Sequence, residues 1–150
     1  MRGAAVIILT LLVAGSSAAQ VPGARSVGLE VRLDGIVASR ATAAHAGLGL
    51  TRRAARHLEV QLVGAAGVTV RDASDDTNAS GRADLLARFA PLPDDPTRWG
   101  AYAGGGISAL MERGERGRAV LALMVGARNR RLFVEAGLGG GVRLGSGVRF

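Results

Sequence analysis

The C-terminal segment, residues 131–150, constrains the fold of this chain more than any other part of it. From Leu132 to Phe150 every second side chain is apolar or small, and the positions between them carry mostly charges or glycine. A period of two is typical of β-strands whose two faces meet different environments. The apolar or small face comprises Leu132, Val134, Ala136, Leu138, Gly140, Val142, Leu144, Ser146, Val148 and Phe150. The alternation therefore predicts two-faced β-structure up to the last residue.

The same alternation recurs upstream and predicts an all-β fold. Its phase is clear over residues 27–34, 44–51, 57–62, 82–89 and 119–127, and less clear over residues 99–111. Turn-type segments separate these runs at residues 39–41, 51–56, 72–81, 91–98, 113–117 and 127–130, and none of them has a convincing helical pattern. With the C-terminal segment folded in two, the runs predict an eight-stranded antiparallel up-and-down β-barrel.

The N-terminus predicts export. Met1 and Arg2 precede the uncharged apolar run Ala4–Ala14, and small residues follow at Ser17 to Ala19. These features indicate a signal peptide over residues 1–19, cleaved before Gln20, which leaves residues 20–150 as one barrel domain. The alternative is an N-terminal membrane anchor, but the run is shorter than the ~20 residues that a spanning helix needs. The chain has no cysteine, which excludes a lipid-anchored lipoprotein, a disulfide and a thiolate metal site.

Arginine supplies all of the positive charge of the side chains at neutral pH. The formal net charge is +7, and no lysine is present. Because the arginines are scattered between polar faces and turns, with no basic run interleaved with aromatic residues, we expect no nucleic-acid partner.

The pattern Val142-x-Leu144-x-Ser146-x-Val148-x-Phe150 resembles the signal that the barrel-insertion machinery reads. Together with the eight predicted strands, it makes the mature chain similar to the small eight-stranded outer-membrane barrels of Gram-negative envelopes, the group that includes the outer-membrane protein A transmembrane domain. The resemblance implies transmembrane strands in the cell outer membrane, contact with outer-membrane lipid, assembly by the insertion machinery and a monomer. Val142, Leu144, Val148 and Phe150 are the predicted insertion signal.

A membrane-spanning barrel also predicts how the C-terminal segment folds. As one strand its twenty residues would span about 66 Å at ~3.3 Å per residue, roughly twice a bilayer core. Since the apolar phase is unbroken, the turn must hold an odd number of residues, and Gly139–Gly141 fits. An even strand count places both termini on one side. If that side is the periplasm, connections one, three, five and seven face outward.

In the membrane arrangement the charged face points into the barrel. An unpaired charge there would cost several kcal/mol, so we predict a buried ion-pair network. Its predicted members are Glu30, Arg32, Asp34, Glu59, Arg82, Asp84, Arg88, Glu135, Arg143 and Arg149.

Alternation alone does not exclude a soluble periplasmic or secreted β-barrel, in which the apolar face would point inward. The many alanines and glycines favour the membrane arrangement, because a soluble core is filled with larger side chains.

The chain shows little that indicates catalysis. Some barrel enzymes of this membrane, which resemble the present pattern, use a His with a Ser to cleave lipid acyl groups. Here no Ser, Asp or Glu is placed by sequence beside His45 or His57. Residues 104–109 match a dinucleotide fingerprint without its strand, helix and acidic residue. Asp76–Gly81 has the oxygen spacing of a calcium loop, but Ala87 stands where a bidentate Glu is needed. We therefore predict no catalytic residue, no cofactor and no metal.

Three functional classes remain open. The leading prediction is a non-enzymatic outer-membrane barrel with a structural, adhesive or surface-interaction role. A narrow, porin-like pore or small-ligand carrier comes second, and a lipid-modifying enzyme third. Eight-stranded barrels have interiors that side chains fill, which disfavours the pore.

Overall fold

A computed structural model describes residues 27–72, 77–91 and 98–150 of the chain. The described residues form a closed antiparallel barrel in which each strand pairs with its neighbours in sequence and β8 closes onto β1. The strands are β1 (Val27–Ala38), β2 (Ala41–Ala55), β3 (Leu58–Arg71), β4 (Thr77–Phe89), β5 (Gly100–Glu112), β6 (Arg118–Arg128), β7 (Leu132–Leu138) and β8 (Val142–Arg149). The predicted fold class is confirmed. The signal peptide predicted for residues 1–19 lies outside the described residues.

Within those three described ranges, no helix is long and apolar enough to cross a membrane.

Closure of the barrel depends on the C-terminal strand. The register of β1 and β8 runs from Glu30 opposite Arg149 to Val37 opposite Val142. Phe150 extends this pairing beyond the last strand residue, because its N–H donates to the Leu29 carbonyl at 2.9 Å and its own carbonyl accepts from the Leu29 N–H at 3.3 Å. The last residue of the chain is therefore part of the seam.

The turn predicted at Gly139–Gly141 joins β7 and β8. Gly140 has a φ of +80°, and a Cβ there would lie 2.6 Å from Leu110 Cδ1. The left-handed backbone favours glycine at this position, whereas the flexible end of the Leu110 side chain could move aside.

Several strands are longer than the sequence predicted. The strand β2 continues through residues 51–55, which were predicted as a turn, and β4 begins at Thr77, inside the predicted loop 72–81. The strand β6 likewise reaches Arg128, inside the predicted turn 127–130. In each case the polar residues have cross-strand partners: Thr51 lies opposite Gly28, and Arg128 opposite Gly100. Ladder hydrogen bonding overrides the turn preference of these residues.

The two ends of the barrel differ in what they carry. One end, called the terminal end here, holds Val27, Phe150 and the connections at residues 56–57 and 129–131, together with the end of β4 and the start of β5. The opposite end, called the mouth end, holds the connections at residues 39–40, 113–117 and 139–141, together with the end of β3 and the start of β4.

The barrel has an apolar exterior and a charged interior. On β1, Leu33 and Val37 are 64% and 58% exposed, whereas Glu30 and Arg32 are 0% exposed. This arrangement is the inverse of a soluble protein, where charged side chains stay in water unless they are paired. The soluble-barrel alternative requires the opposite assignment of faces.

Candidate functional site

The charged interior is the candidate functional site, and Glu135 on β7 lies at its centre. Its carboxylate accepts hydrogen bonds from Arg32, from Arg88 Nη2 at 2.9 Å and from the Tyr102 hydroxyl at 3.0 Å. Arg143 Nη2 lies 3.5 Å from its Oε1. One carboxylate thus holds guanidinium groups from β1, β4 and β8 together.

A second group of ion pairs lies nearer the mouth end, around Asp34 and Asp84. Arg32 donates to both oxygens of Asp34 at 2.9 and 2.8 Å, and Arg143 Nη2 lies 3.4 Å from Asp34 Oδ1. Asp84 accepts from Arg143 Nη1 at 2.9 Å and from the Ser108 hydroxyl at 2.6 Å. The two aspartates share Arg143, which connects this group to Glu135.

A third group lies nearer the terminal end and is held by Glu30 and Glu59. Glu30 Oε1 is 3.0 Å from Arg88 Nη1 and 3.1 Å from Arg149 Nε. Glu59 Oε1 accepts a hydrogen bond from Arg128 Nη2 at 2.9 Å. Because Arg88 contacts both Glu30 and Glu135, the three groups form one continuous network across the barrel.

The structure places all ten residues named for the network on the inward face. Arg149 is the least enclosed, with 16% of its side chain exposed. Sequence reasoning missed Arg128, because it stood in a predicted turn. The alternation along β6 could have revealed it, because Arg128 follows the inward residues Met124 and Gly126 at intervals of two.

Aromatic rings complete the interior. The guanidinium of Arg88 lies 4.9 Å from the ring centre of Tyr102, and that of Arg32 lies 5.4 Å from the ring centre of Phe133. At these distances the ring quadrupole attracts the cation. Tyr102 also packs with Leu86, Ala122 and Met124 in a small apolar cluster. Paired charges and rings therefore fill the middle of the lumen.

His45 has a partner that the sequence did not indicate. Its Nε2 lies 3.0 Å from the Ser80 hydroxyl, and its Nδ1 has no hydrogen-bond partner among the described residues. Asp34 faces His45 across β1 and β2, but its oxygens accept from Arg32 and Arg82. The pair therefore lacks the orienting group of a catalytic triad.

The other motifs considered for chemistry have structural roles in the barrel. His57 Nδ1 lies 3.0 Å from the Ala90 carbonyl oxygen, and its ring lies 6.0 Å from that of Phe89. Residues 104–109 are part of β5, and residues 77–81 of the calcium-like segment are part of β4, so both are extended. In the described ranges no group of three or more His, Cys, Asp or Glu residues could hold a metal ion.

The side chains named as the insertion signal lie on the outer surface. Val142, Leu144 and Phe150 are 55%, 63% and 76% exposed, and Val148 is less so. Val148 stands opposite Leu132, and Leu144 opposite Ala136, so the signal continues the apolar surface of β7.

Three exposed aromatic residues lie at the terminal end. Phe89 ends β4, Trp99 precedes β5 and Phe150 follows β8. The chain has five Phe, Trp and Tyr residues in all, and the remaining two, Tyr102 and Phe133, are buried in the lumen. The outer aromatic surface is therefore confined to one rim.

A closed eight-stranded barrel with an apolar outer face and a lumen filled by ion pairs defines the class of small outer-membrane-type β-barrels. Among solved structures, the chain is similar to the N-terminal β-barrel domain of Pseudomonas aeruginosa OprF. The TM-score is 0.54 with 13% sequence identity, over 82% of this chain and 97% of that chain. At this identity the likeness establishes the fold alone. No family model matches the sequence, and no curated protein matches it significantly.

Proposed function

We propose that the protein is an outer-membrane β-barrel with a structural, adhesive or surface-interaction role and no chemistry of its own. The observation that carries this proposal is the apolar outer surface. Large aliphatic side chains are exposed on every strand, including Leu33, Leu50, Leu85, Leu121 and Leu144. Soluble monomers rarely expose continuous apolar patches larger than a few hundred Å². A lipid environment removes this surface from water.

The distribution of aromatic residues supports a membrane–water interface at the terminal end. Trp and other aromatic side chains concentrate where a membrane meets water. Phe89, Trp99 and Phe150 supply such a rim at the terminal end. Because an even strand count puts both termini of the barrel on one side, as in outer-membrane barrels, we place the terminal end at the periplasmic interface and the mouth end outside the cell. Assembly by the insertion machinery then proceeds through the C-terminal strand.

The likeness to the OprF barrel domain supports an outer-membrane type of barrel without naming a role. Within this class, the filled lumen favours a scaffold over a pore. Arg32, Arg82, Arg88 and Glu135 are almost completely buried in the middle of the barrel. Passage of a solute would require several ion pairs to separate in a low-dielectric interior. We therefore expect no steady conductance in planar bilayers at neutral pH.

Membrane partition is the experiment that tests the proposal. The full chain is expressed in a Gram-negative host and the envelope is fractionated. We expect the protein to resist carbonate extraction, to dissolve in detergent, and to migrate differently on gels before and after heating, as folded barrels do. Release by carbonate, or recovery in the soluble periplasmic fraction with the barrel folded, would reject the membrane assignment.

A further inference from the structure

A cavity of about 410 Å³ opens at the mouth end of the barrel. Its lining residues come from β1 to β6 and from the connections at that end, and none of them belongs to the ion-pair network described above. The volume lies within the range of about 300–1,000 Å³ that is usual for small-molecule sites. The cavity is therefore a separate feature of the lumen.

The rim of this cavity carries an excess of arginine. Arg40, Arg71, Arg116 and Arg118 line it, together with the acids Glu112 and Glu115. Both acids bind Arg71: its Nε and Nη2 donate to the two oxygens of Glu112 at 3.0 Å each, and Nη2 also contacts Glu115.

The other three rim arginines, Arg40, Arg116 and Arg118, form no ion pair with a carboxylate in the described part of the chain. Their guanidinium groups carry positive charge around an opening whose acids already bind Arg71. Planar guanidinium groups recognise carboxylates and phosphates through paired N–H donors.

Buried polar side chains also line the cavity. His45 and Thr69 are buried, with 5% and 8% exposure, and Ser80 lies beside His45. The Nδ1 atom of His45 lacks a hydrogen-bond partner among the described residues. Buried polar atoms in native proteins almost always have a partner, in the protein or in ordered water, so this nitrogen is available to a water or to a polar group of a molecule in the cavity.

We propose that the mouth cavity binds a small soluble oxyanion, a carboxylate or a phosphate monoester. The rim arginines hold its charge, and His45, Thr69 and Ser80 offer hydrogen bonds to its polar groups. The site faces the lumen and is walled by strands, so the ligand reaches it from the aqueous side rather than from the lipid. Membrane insertion is not required for binding, so this proposal and the membrane assignment stand or fall separately.

The test measures binding of inorganic phosphate and of succinate to the folded full-length barrel in detergent micelles by isothermal titration calorimetry. The variant Arg40→Gln/Arg116→Gln removes two rim charges. Its matched control, Arg130→Gln/Arg131→Gln, removes the same charge at the terminal end, where both side chains are exposed. Circular dichroism and heat-dependent gel mobility establish that each variant is folded.

We expect at least one of the two probes to bind and its Kd to rise by about tenfold or more in the rim variant, with little change in the control. His45→Gln should weaken binding without changing the rim charge. Absence of binding of both probes at millimolar concentration overturns the proposal. An equal loss in the rim variant and the control also overturns it, because that result describes general attraction to a basic protein.

Discussion

Replacing Glu135 with Gln tests whether the charged interior stabilises the barrel through specific pairs. The carboxylate accepts from Arg32, Arg88 and Tyr102 and lies near Arg143. A glutamine keeps the shape but replaces one acceptor oxygen with an N–H₂ group, which then faces a guanidinium. In the described lumen the change leaves six arginines with four carboxylates in place of five.

The expected cost follows from burial. Removing one partner of a buried ion pair leaves an uncompensated charge and destabilises a protein by about 3–5 kcal/mol. That is a change of roughly two to four powers of ten in the ratio of folded to unfolded protein. The network contains further carboxylates, but Glu30 and Asp34 already contact arginines of their own. They can therefore compensate only in part for the lost negative charge of Glu135.

The matched control is Glu112→Gln at the mouth rim. Glu112 accepts two hydrogen bonds from Arg71 and one from Asn78, which resembles the number of contacts at Glu135. The pair at the rim is partly exposed, and exposed ion pairs contribute little to stability because water and salt screen them. The same chemical change should therefore cost far less at this position.

The assay is reversible urea unfolding of the barrel in lipid vesicles, followed by tryptophan fluorescence and gel mobility. We expect the free energy of unfolding to fall much further for Glu135→Gln than for Glu112→Gln. Adding Arg32→Met to Glu135→Gln should cost less than the sum of the two single changes, because the double variant leaves fewer unpaired cations. Equal losses for the two Gln variants, or strict additivity in the double variant, would refute the reasoning.

Three further predictions concern the outer face, the C-terminus and the histidine pair. Val134→Arg, at an outward position, should cost about 2–4 kcal/mol in vesicles, and a cysteine-bound probe at position 134 should report lipid; a report of water would contradict the assignment. Deleting Phe150 or changing it to Asp should lower the amount in the outer membrane and raise periplasmic degradation on immunoblots; normal assembly of both would count against the insertion signal. His45→Gln and Ser80→Ala should remove no measurable ester hydrolysis; a fluorophosphonate label on Ser80 that depends on His45 would reverse this expectation.

The faces of the strands could be predicted because alternation is a local property. The sequence places Glu30, Arg32 and Asp34 on one side of β1, and a strand with period two has no other way to arrange them. Placing the charged faces inside the barrel and the apolar faces outside then followed, because buried charges need charged partners. The number of strands could also be predicted from local sequence, because turn residues bound each alternating run.

The partners within the interior could not be predicted, because they depend on register and closure. Arg128 meets Glu59, and His45 meets Ser80, across separations of 69 and 35 residues. Such pairs arise only when the stagger between strands is known, and one residue of slip would move each side chain to the other face. The ends of β2 and β4 were misplaced for a related reason: cross-strand hydrogen bonding extends a strand through residues whose local preference is for a turn.

The inward glycines of β8 have a steric reason for their size. A Cβ at Gly145 would lie 2.5 Å from Asp34 Oδ1 and 3.2 Å from Arg32 Nη2, and one at Gly147 would lie 2.6 Å from the Phe133 ring. The large interior side chains of β1 and β7 therefore occupy the space that β8 leaves empty. In a barrel this narrow, a neighbouring glycine makes room for a long side chain: Arg32 lies opposite Gly147, and Asp34 lies opposite Gly145. The glycine-rich polar face and the buried ion pairs are thus two parts of one packing arrangement: the glycines of β8 make room for the arginines that the carboxylates hold.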